Sequence, residues 1–265
     1  MKTIYKCYPG GKHKALTMSY DDGRIADRRL VSLFNKYGIK GTFFINSGRF
    51  DHVDRVASNE IKELYKGHEV AVHTLTHPTI ARCPQIQVAQ EVIADRINLE
   101  SLVGYPVRGM SYPNGSYNSE IQKMLPHLGI EYARIVGNSN EFSEPVDLFT
   151  WKATCHHNAN LINLVQSFIA FLKTQYLQLM YVWGHSYEFD NDNNWELIEE
   201  FCELAGSADD IWYATNIEIV DYTKAYHHLQ FAADCSFVYN PSVVSVWLSS
   251  EGEIIEIPGG SKIML

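Results

Sequence analysis

Ala15-Leu16-Thr17-Met18-Ser19-Tyr20 runs directly into Asp21-Asp22-Gly23. An uncharged run followed by two carboxylates and a glycine reads as a strand covered on both faces that ends in a sharp turn at a rim. Working outward from it, similar runs occupy Gly41 to Asn46, Glu69 to His73, Val107 to Ser111, Ile130 to Ile135, Leu177 to Trp183 and Ile211 to Ala214. Amphipathic stretches separate them. Strand and helix patterns that alternate in this way predict βα units around a parallel sheet or barrel.

The helices between the strands carry recognisable ends. Pro84 suits a first turn, Ile86, Ala89, Val92, Ile93 and Ile97 follow at helical spacing, and Gly104 supplies a left-handed stop. Gly38, Gly67, Gly129 and Gly206 close other helical patterns in the same way. A helix begins near Asn216, with Glu218 behind it, and runs toward Tyr226; Asp192 or Asn193 caps the helix carrying Trp195. After Leu229 the period changes to two. Ser236 to Tyr239, Val243 to Leu248 and Ile254 to Ile257 read as antiparallel strands, with Glu251-Gly252 turning between the last two. The chain therefore divides into a large unit, residues 1–229, and a short β-rich extension, residues 230–265. Two roles stand open for the extension, covering a barrel end or forming a contact in a homo-oligomer.

Composition narrows the function. A net charge of -9 without clustered Lys and Arg argues against nucleic acid and against anionic membrane surfaces as partners. The hydrophobic fraction of 46% supports a large core, and no segment reaches membrane-spanning length. Cys7, Cys83, Cys155, Cys202 and Cys235 are odd in number and scattered, which suits reduced thiols better than a disulfide framework. The first residues have no apolar signal core, so the expected location is cytoplasmic unless a leader has been removed.

The chemistry lies at the strand ends. Asp21 and Asp22 follow the first strand, and His73-Thr74-Leu75-Thr76-His77 begins where another stops. One carboxylate and two imidazoles make three ligands that leave open positions on a divalent ion, as catalytic rather than structural zinc sites do. The second carboxylate is then free to act as a base. On a continuous strand the two histidines would stand about 13 Å apart, so a loop or helical turn must gather them. Each motif alone is weak: with eleven histidines in 265 residues, chance supplies roughly half a pair at any chosen spacing. Their shared place after strands, on the C-terminal rim of a parallel barrel, is what joins them.

Ser111-Tyr112-Pro113-Asn114-Gly115 and a later strand ending Trp183-Gly184-His185 complete an ordered set. Here the chain resembles the polysaccharide deacetylases of the NodB homology domain, a carbohydrate esterase family. SYDDG, HTLTH, SYPNG and the strand ending at His185 follow the family's motif order over about residues 14 to 222. The resemblance implies a distorted (β/α) barrel, TIM-like, carrying a small C-terminal antiparallel appendage. It implies a divalent metal, most often zinc, although other divalent transition metals serve, held by Asp22, His73 and His77. Asp21 would be the base that activates metal-bound water, His185 the acid that protonates the leaving group, and the Asn114 backbone N–H an oxyanion donor. Tyr112, Trp151 and Trp183 would line the pocket, with Trp151 equally readable as core. The substrate implied is an N- or O-acetylated carbohydrate. A small cyclic amide or imide is the closest rival, and an inactive carbohydrate-binding homologue another. A non-heme iron oxygenase uses the same ligand types, but it usually stands on an all-β frame.

Two departures from the family pattern stand out. Ser111 occupies the place of the arginine that pairs with the base in many members, and Arg108, three residues away, is no evident substitute. Asp147 and Trp151 are spaced differently from the family's Asp/Trp segment. Beside Cys155, His156 and His157 invite a second metal site, against which stands the rarity of adjacent residues facing one ion. Tyr181, Tyr187 and Phe189 around His185 read as sugar-stacking rings or as core.

Overall fold

The computed structural model describes residues 3–50, 52–206 and 208–265. In chain order its strands are β1 (Ile4–Cys7), β2 (Lys14–Asp21), β3 (Gly41–Ile45), β4 (Glu69–Val72), β5 (Gly109–Ser111), β6 (Tyr132–Asn138), β7 (Trp151–Ala153), β8 (Cys155–His156), β9 (Gln178–Gly184), β10 (Ile211–Tyr213), β11 (Gln230–Phe231), β12 (Phe237–Tyr239), β13 (Val246–Ser250), β14 (Glu253–Ile257) and β15 (Lys262–Met264).

β2 is buried along its whole length because it is paired on both edges. β9 runs parallel to it from Lys14 to Tyr20; on the other edge β10 takes Lys14 to Leu16 and β3 takes Met18 to Asp21. The sheet continues in parallel from β3 through β4, β5 and β6 to β7, while β8 pairs with β9. β7 and β8 are the two ends of one short run. Between them Thr154 donates its N–H to Tyr181 O of β9, and Ser139, just past β6, donates to Ala153 O. This run joins the sheet's two edges and closes a distorted (β/α) barrel.

Side chains alternate across the barrel wall, as the two-residue period of a strand requires. Leu16, Met18 and Tyr20 of β2, Phe43 and Ile45 of β3, Val70 and Val72 of β4, Met110 of β5 and Ala133 of β6 face outward into the core shared with the helices. The opposite parity holds Ala15, Phe44, Ala71, Tyr132, Trp151, Ala153, Leu179, Tyr181 and Trp183 together inside. On that same inward parity lie Thr17, Ser19, Asp21, Glu69, Ser111 and Arg134, all buried. The interior is apolar in the middle and polar at both ends, with Glu69 near the strand starts and Asp21, Ser111 and Arg134 at the C-terminal ends.

The strands outside the barrel form two small antiparallel sheets, β1-β13-β14 and β11-β12-β15. Glu251 and Gly252, both at positive φ, turn β13 into β14. Val238, Leu248 and Ile257 form a third core, packed by Ile4, Tyr226 and Leu229. All five cysteines are free thiols. No helix among the described residues is long and apolar enough to cross a membrane.

Several local expectations need correction. The helix Gln85–Val103 buries Val88, Glu91, Val92, Asp95 and Leu99, while Ile86 and Ile97 are exposed. Its inward face is rotated toward two acids because those acids brace a loop described below. Pro84 is the N-cap residue rather than the first helical one. The helix expected to begin near Asn216 spans Asn216–His227 and is capped by Thr215, in a reciprocal capping box with Glu218. Asn194, not Asp192 or Asn193, precedes the helix Trp195–Ala205. Gly206 ends that helix at φ -73 rather than in the left-handed region. Its lack of a side chain serves close approach, since a Cβ there would meet Cys202 O at 2.6 Å and Tyr37 Cβ at 2.7 Å.

Burial pushes the carboxyls of Asp27 and Glu69 up to about 7, although each accepts hydrogen bonds, Asp27 from Ser186 and Tyr65, Glu69 from Tyr132, Thr42 and Ile217 N–H. In the window from their ordinary values to about 7, the folded chain keeps protons that the unfolded chain has released. Stability therefore falls as pH rises through that window. Thermal melts from pH 5 to pH 8 should show the parent midpoint falling relative to that of Glu69→Gln, which lacks this carboxyl's share of the pH dependence; a midpoint difference independent of pH would refute the assignment to Glu69.

Candidate active site

Asp21 is the last residue of β2, points inward and is 3% exposed. Arg134, on the inward face of β6 and fully buried, donates from Nη2 to Asp21 Oδ2. Ser111 and Arg134 stand opposite each other on β5 and β6. The Ser111 hydroxyl donates to Asp21 Oδ1 at 3.3 Å. The arginine that the sequence seemed to lack is thus present one strand further along, and Arg108 is committed elsewhere, to Asp221 and Glu131. Burial pushes the Asp21 carboxyl up, but Arg134, then His73 and His185, outweigh it and hold the group below its usual range. A charged residue in an inward strand position had one readable signal: it must be paired to be buried at all.

Asp22 sits just past the strand at φ 84, which turns its side chain away from that of Asp21. Its Oδ1 lies 3.9 Å from His77 Nε2 and 3.6 Å from Arg55, and its Oδ2 lies 3.7 Å from Arg24. His73 to His77 is a loop, bent by left-handed Thr74 and His77 at φ 63 each. Asn46 clamps the loop by donating from Nδ2 to the carbonyls of His73 and Thr74. Asp95 accepts the His73 N–H at 3.1 Å, and Glu91 accepts both the N–H and the hydroxyl of Thr76. These contacts explain why the helix Gln85–Val103 turns its acids inward.

Asp22, His73 and His77 present ligand atoms that all lie within 4.8 Å of one another. His73 Nδ1 lies 3.0 Å from the Ser111 carbonyl and 2.6 Å from the Ser111 hydroxyl. A carbonyl only accepts, so the ring proton is on Nδ1 and the Nε2 lone pair is free. Burial lowers the His73 pKa to about 4 and lowers that of His77, so both rings are neutral at pH 7. A carboxylate with two neutral imidazoles, one oriented through its outer nitrogen, fits a divalent ion.

His185 follows β9 beside the same strand ends. Burial lowers its pKa, but Glu188, then Asp21 and Asp22, raise it further, and the net shift is upward. An imidazole that keeps its proton near neutrality suits an acid. Trp183 is 8% exposed, with the Arg134 guanidinium 4.6 Å from its ring centroid and His185 at 6.1 Å. Asn114, left-handed at φ 56, is exposed and donates from Nδ2 to Thr79 Oγ1, two residues past His77. Tyr112 is buried, donates its hydroxyl to Phe149 O and stacks on Tyr117. Trp151, 2% exposed, packs edge-on against Tyr132 and Tyr181 inside the barrel, the core reading of the two that the sequence left open.

Residues 9–133 match the family model described as polysaccharide deacetylase. Over 128 residues the chain is 29% identical to a chitin deacetylase of Arthroderma benhamiae, covering 47% of this chain and 33% of that protein. It is 25% identical over 114 residues to a peptidoglycan-N-acetylglucosamine deacetylase of Bacillus cereus, covering 41% and 39%. The chain thus spans about a third to two fifths of the length of these curated relatives. A Mycobacterium smegmatis protein provisionally assigned to the polysaccharide deacetylases has a similar solved fold, at TM-score 0.63 and 15% identity, over 86% of this chain and 96% of that one. The matched stretch includes Asp21, Asp22, His73, His77 and Ser111, stops one residue before Arg134 and leaves out His185. Residues 9–133, a little under half of the chain, are thus similar to the polysaccharide deacetylase family, and the barrel that contains them has the shape of that solved fold.

Proposed function

We propose that this chain is a metal-dependent hydrolase that removes acetyl groups from an N- or O-acetylated carbohydrate. The observation that carries the reading is the pairing of two functions at one rim: a three-ligand set of one carboxylate and two neutral imidazoles, Asp22, His73 and His77, beside a separately paired carboxylate, Asp21. A divalent ion held by that set, with zinc the first choice for its oxygen and nitrogen donors, would polarise the acetyl carbonyl and lower the pKa of water. Asp21, held ionised by Arg134, accepts the proton of the attacking water. Ser111 links the two halves: its hydroxyl receives the His73 Nδ1 proton as a hydrogen bond and donates to Asp21 Oδ1. His185 gives its proton to the departing nitrogen or oxygen, which is otherwise a poor leaving group. The Asn114 backbone N–H is proposed as the donor for the developing oxyanion.

Acetate release from N-acetylated chito-oligosaccharides and acetylated xylan, and ring opening of small cyclic imides, measured with zinc-loaded protein, test the reading. Release from either carbohydrate supports it, ring opening of the imides alone would move the reading to a cyclic imidase, and no reaction with any of the three would overturn it. Metal analysis supplies a second check. His77→Ala should lose the bound ion after dialysis, whereas unchanged metal content would remove His77 from the ligand set.

A further inference from the structure

Four groups outside the proposed ligand set converge on Glu188. His156 Nε2 lies 3.1 Å from Glu188 Oε2 and His157 Nε2 lies 3.2 Å from the same oxygen. The His185 backbone N–H donates to Oε2 at 3.0 Å, and His185 Nδ1 lies 3.3 Å from Oε1. The donor atoms of His156, His157 and Glu188 are all within 4.8 Å of one another, a spacing that a second ion could fill. The hydrogen bonds favour a different occupant. Asn158 N–H donates to His156 Nδ1 at 3.2 Å, so the lone pair is on Nδ1 and the proton on Nε2, which faces Glu188 as a donor rather than as a ligand. Metal-binding histidines show the reverse arrangement. Oε2 also already accepts the His185 N–H.

We propose that Glu188 is a positioning residue for His185, clamped from behind by His156 and His157, and that this cluster is a carboxylate hub rather than a metal site. His185 Nδ1 is buried and has no hydrogen-bond partner among the described residues, and Oε1 stands 3.3 Å from it; as the acceptor for the Nδ1 proton, Oε1 would fix the tautomer and leave Nε2 to carry the proton that is delivered to the leaving group. The fold supplies the clamp through the run that closes the barrel, because β8 ends at His156 and His157 N–H donates to Trp183 O of β9. His157 is fully buried, stacked between Tyr20 and Phe189. Facing His185 are Asp21 and Asp22 from the end of β2, and Tyr187 and Glu188 from the short helix Tyr187–Asn191 that follows it. His156 and His157 face Glu188. Burial pushes the Glu188 carboxyl up, but the three imidazoles outweigh it and hold the group well below its usual range.

The proposal rests on the hydrolase reading for its catalytic meaning, so its test includes a readout that needs no turnover. Two-bond 1H–15N spectra of the imidazoles in zinc-loaded protein should show neutral His185 as the Nδ1–H tautomer. In Glu188→Gln its titration midpoint should move down and the tautomer preference should be lost. His156→Gln, at a partly exposed position, should move the midpoint in the same direction by less, and it serves as the second variant should Glu188→Gln fail to fold. With N-acetylated chito-oligosaccharide, Glu188→Gln should lower kcat by about 10–100-fold with KM unchanged, and the alkaline limb of the pH profile should move to lower pH. A His185 midpoint and tautomer unmoved in both variants would overturn the proposal. Calorimetric binding of a second zinc equivalent that disappears in His156→Gln would overturn it in favour of a metal site. Should the spectra respond while no acetylated substrate reacts, the hub stands and the hydrolase reading fails.

Discussion

Replacing Arg134 with methionine should lower folding stability by about 3–5 kcal/mol, because the Asp21 charge would then be left buried without its partner. Both groups lie inside the barrel, Arg134 at 0% and Asp21 at 3% exposure, so solvent cannot take over the role. Adding Asp21→Asn to that variant should recover most of the loss, since no buried charge then remains. The two substitutions should therefore be strongly non-additive, as expected for residues in direct contact. Urea unfolding of the four proteins in chelator measures the coupling free of metal. Additive effects, or an Arg134→Met protein as stable as the parent, would remove Arg134 as the partner of Asp21. The double variant should remain inactive, which separates the structural share of this pair from its chemical share.

Asp21→Asn alone should reduce kcat by about 10²–10⁴-fold, the range typical of a lost general base. Asparagine keeps an oxygen that can accept from Arg134, so the barrel should still assemble, at a cost in stability because the buried Arg134 charge loses its counter-charge. Metal content should equal that of the parent, because the proposed ligands are Asp22, His73 and His77 and not Asp21. That outcome contrasts with His77→Ala, in which metal and activity should fall together. Full activity in Asp21→Asn would eliminate Asp21 as the base, and loss of metal would show that the two adjacent carboxylates share the ion.

Much of the barrel is legible because its strands are short, mostly apolar runs whose glycines and acids mark their ends. The expected segments from Ala15 to Ala214 all contain strands. The run from Trp151 to His156 was not recognised, because Lys152 and Thr154 interrupt its apolar pattern and its partners, β6 and β9, are remote in sequence. The helix Gln85–Val103 was read with the wrong face inward for a related reason. Hydrophobic periodicity assumes that burial means hydrocarbon, and Glu91 and Asp95 are buried to hold Thr76 and His73. Arg134 reaches Asp21 from the barrel wall, one strand beyond the family's motif position, where no sequence motif marks it. The parity of β6 does, since Tyr132 and Arg134 must share one face.

That parity has a consequence for how the chain avoids misfolding. If β6 slid by one residue against β5, Ala133 and Ile135 would turn inward and Arg134 would be pressed into the hydrocarbon layer beneath the helices. Such a slip would strand two opposite charges on different sides of the wall, a penalty far larger than the loss of a few ladder hydrogen bonds. The proposed base and its arginine partner therefore also disfavour a slipped alignment of β6 against β5. Evolution of a new activity on this barrel would have to replace Asp21 and Arg134 together, or give up the check that keeps its strands in place.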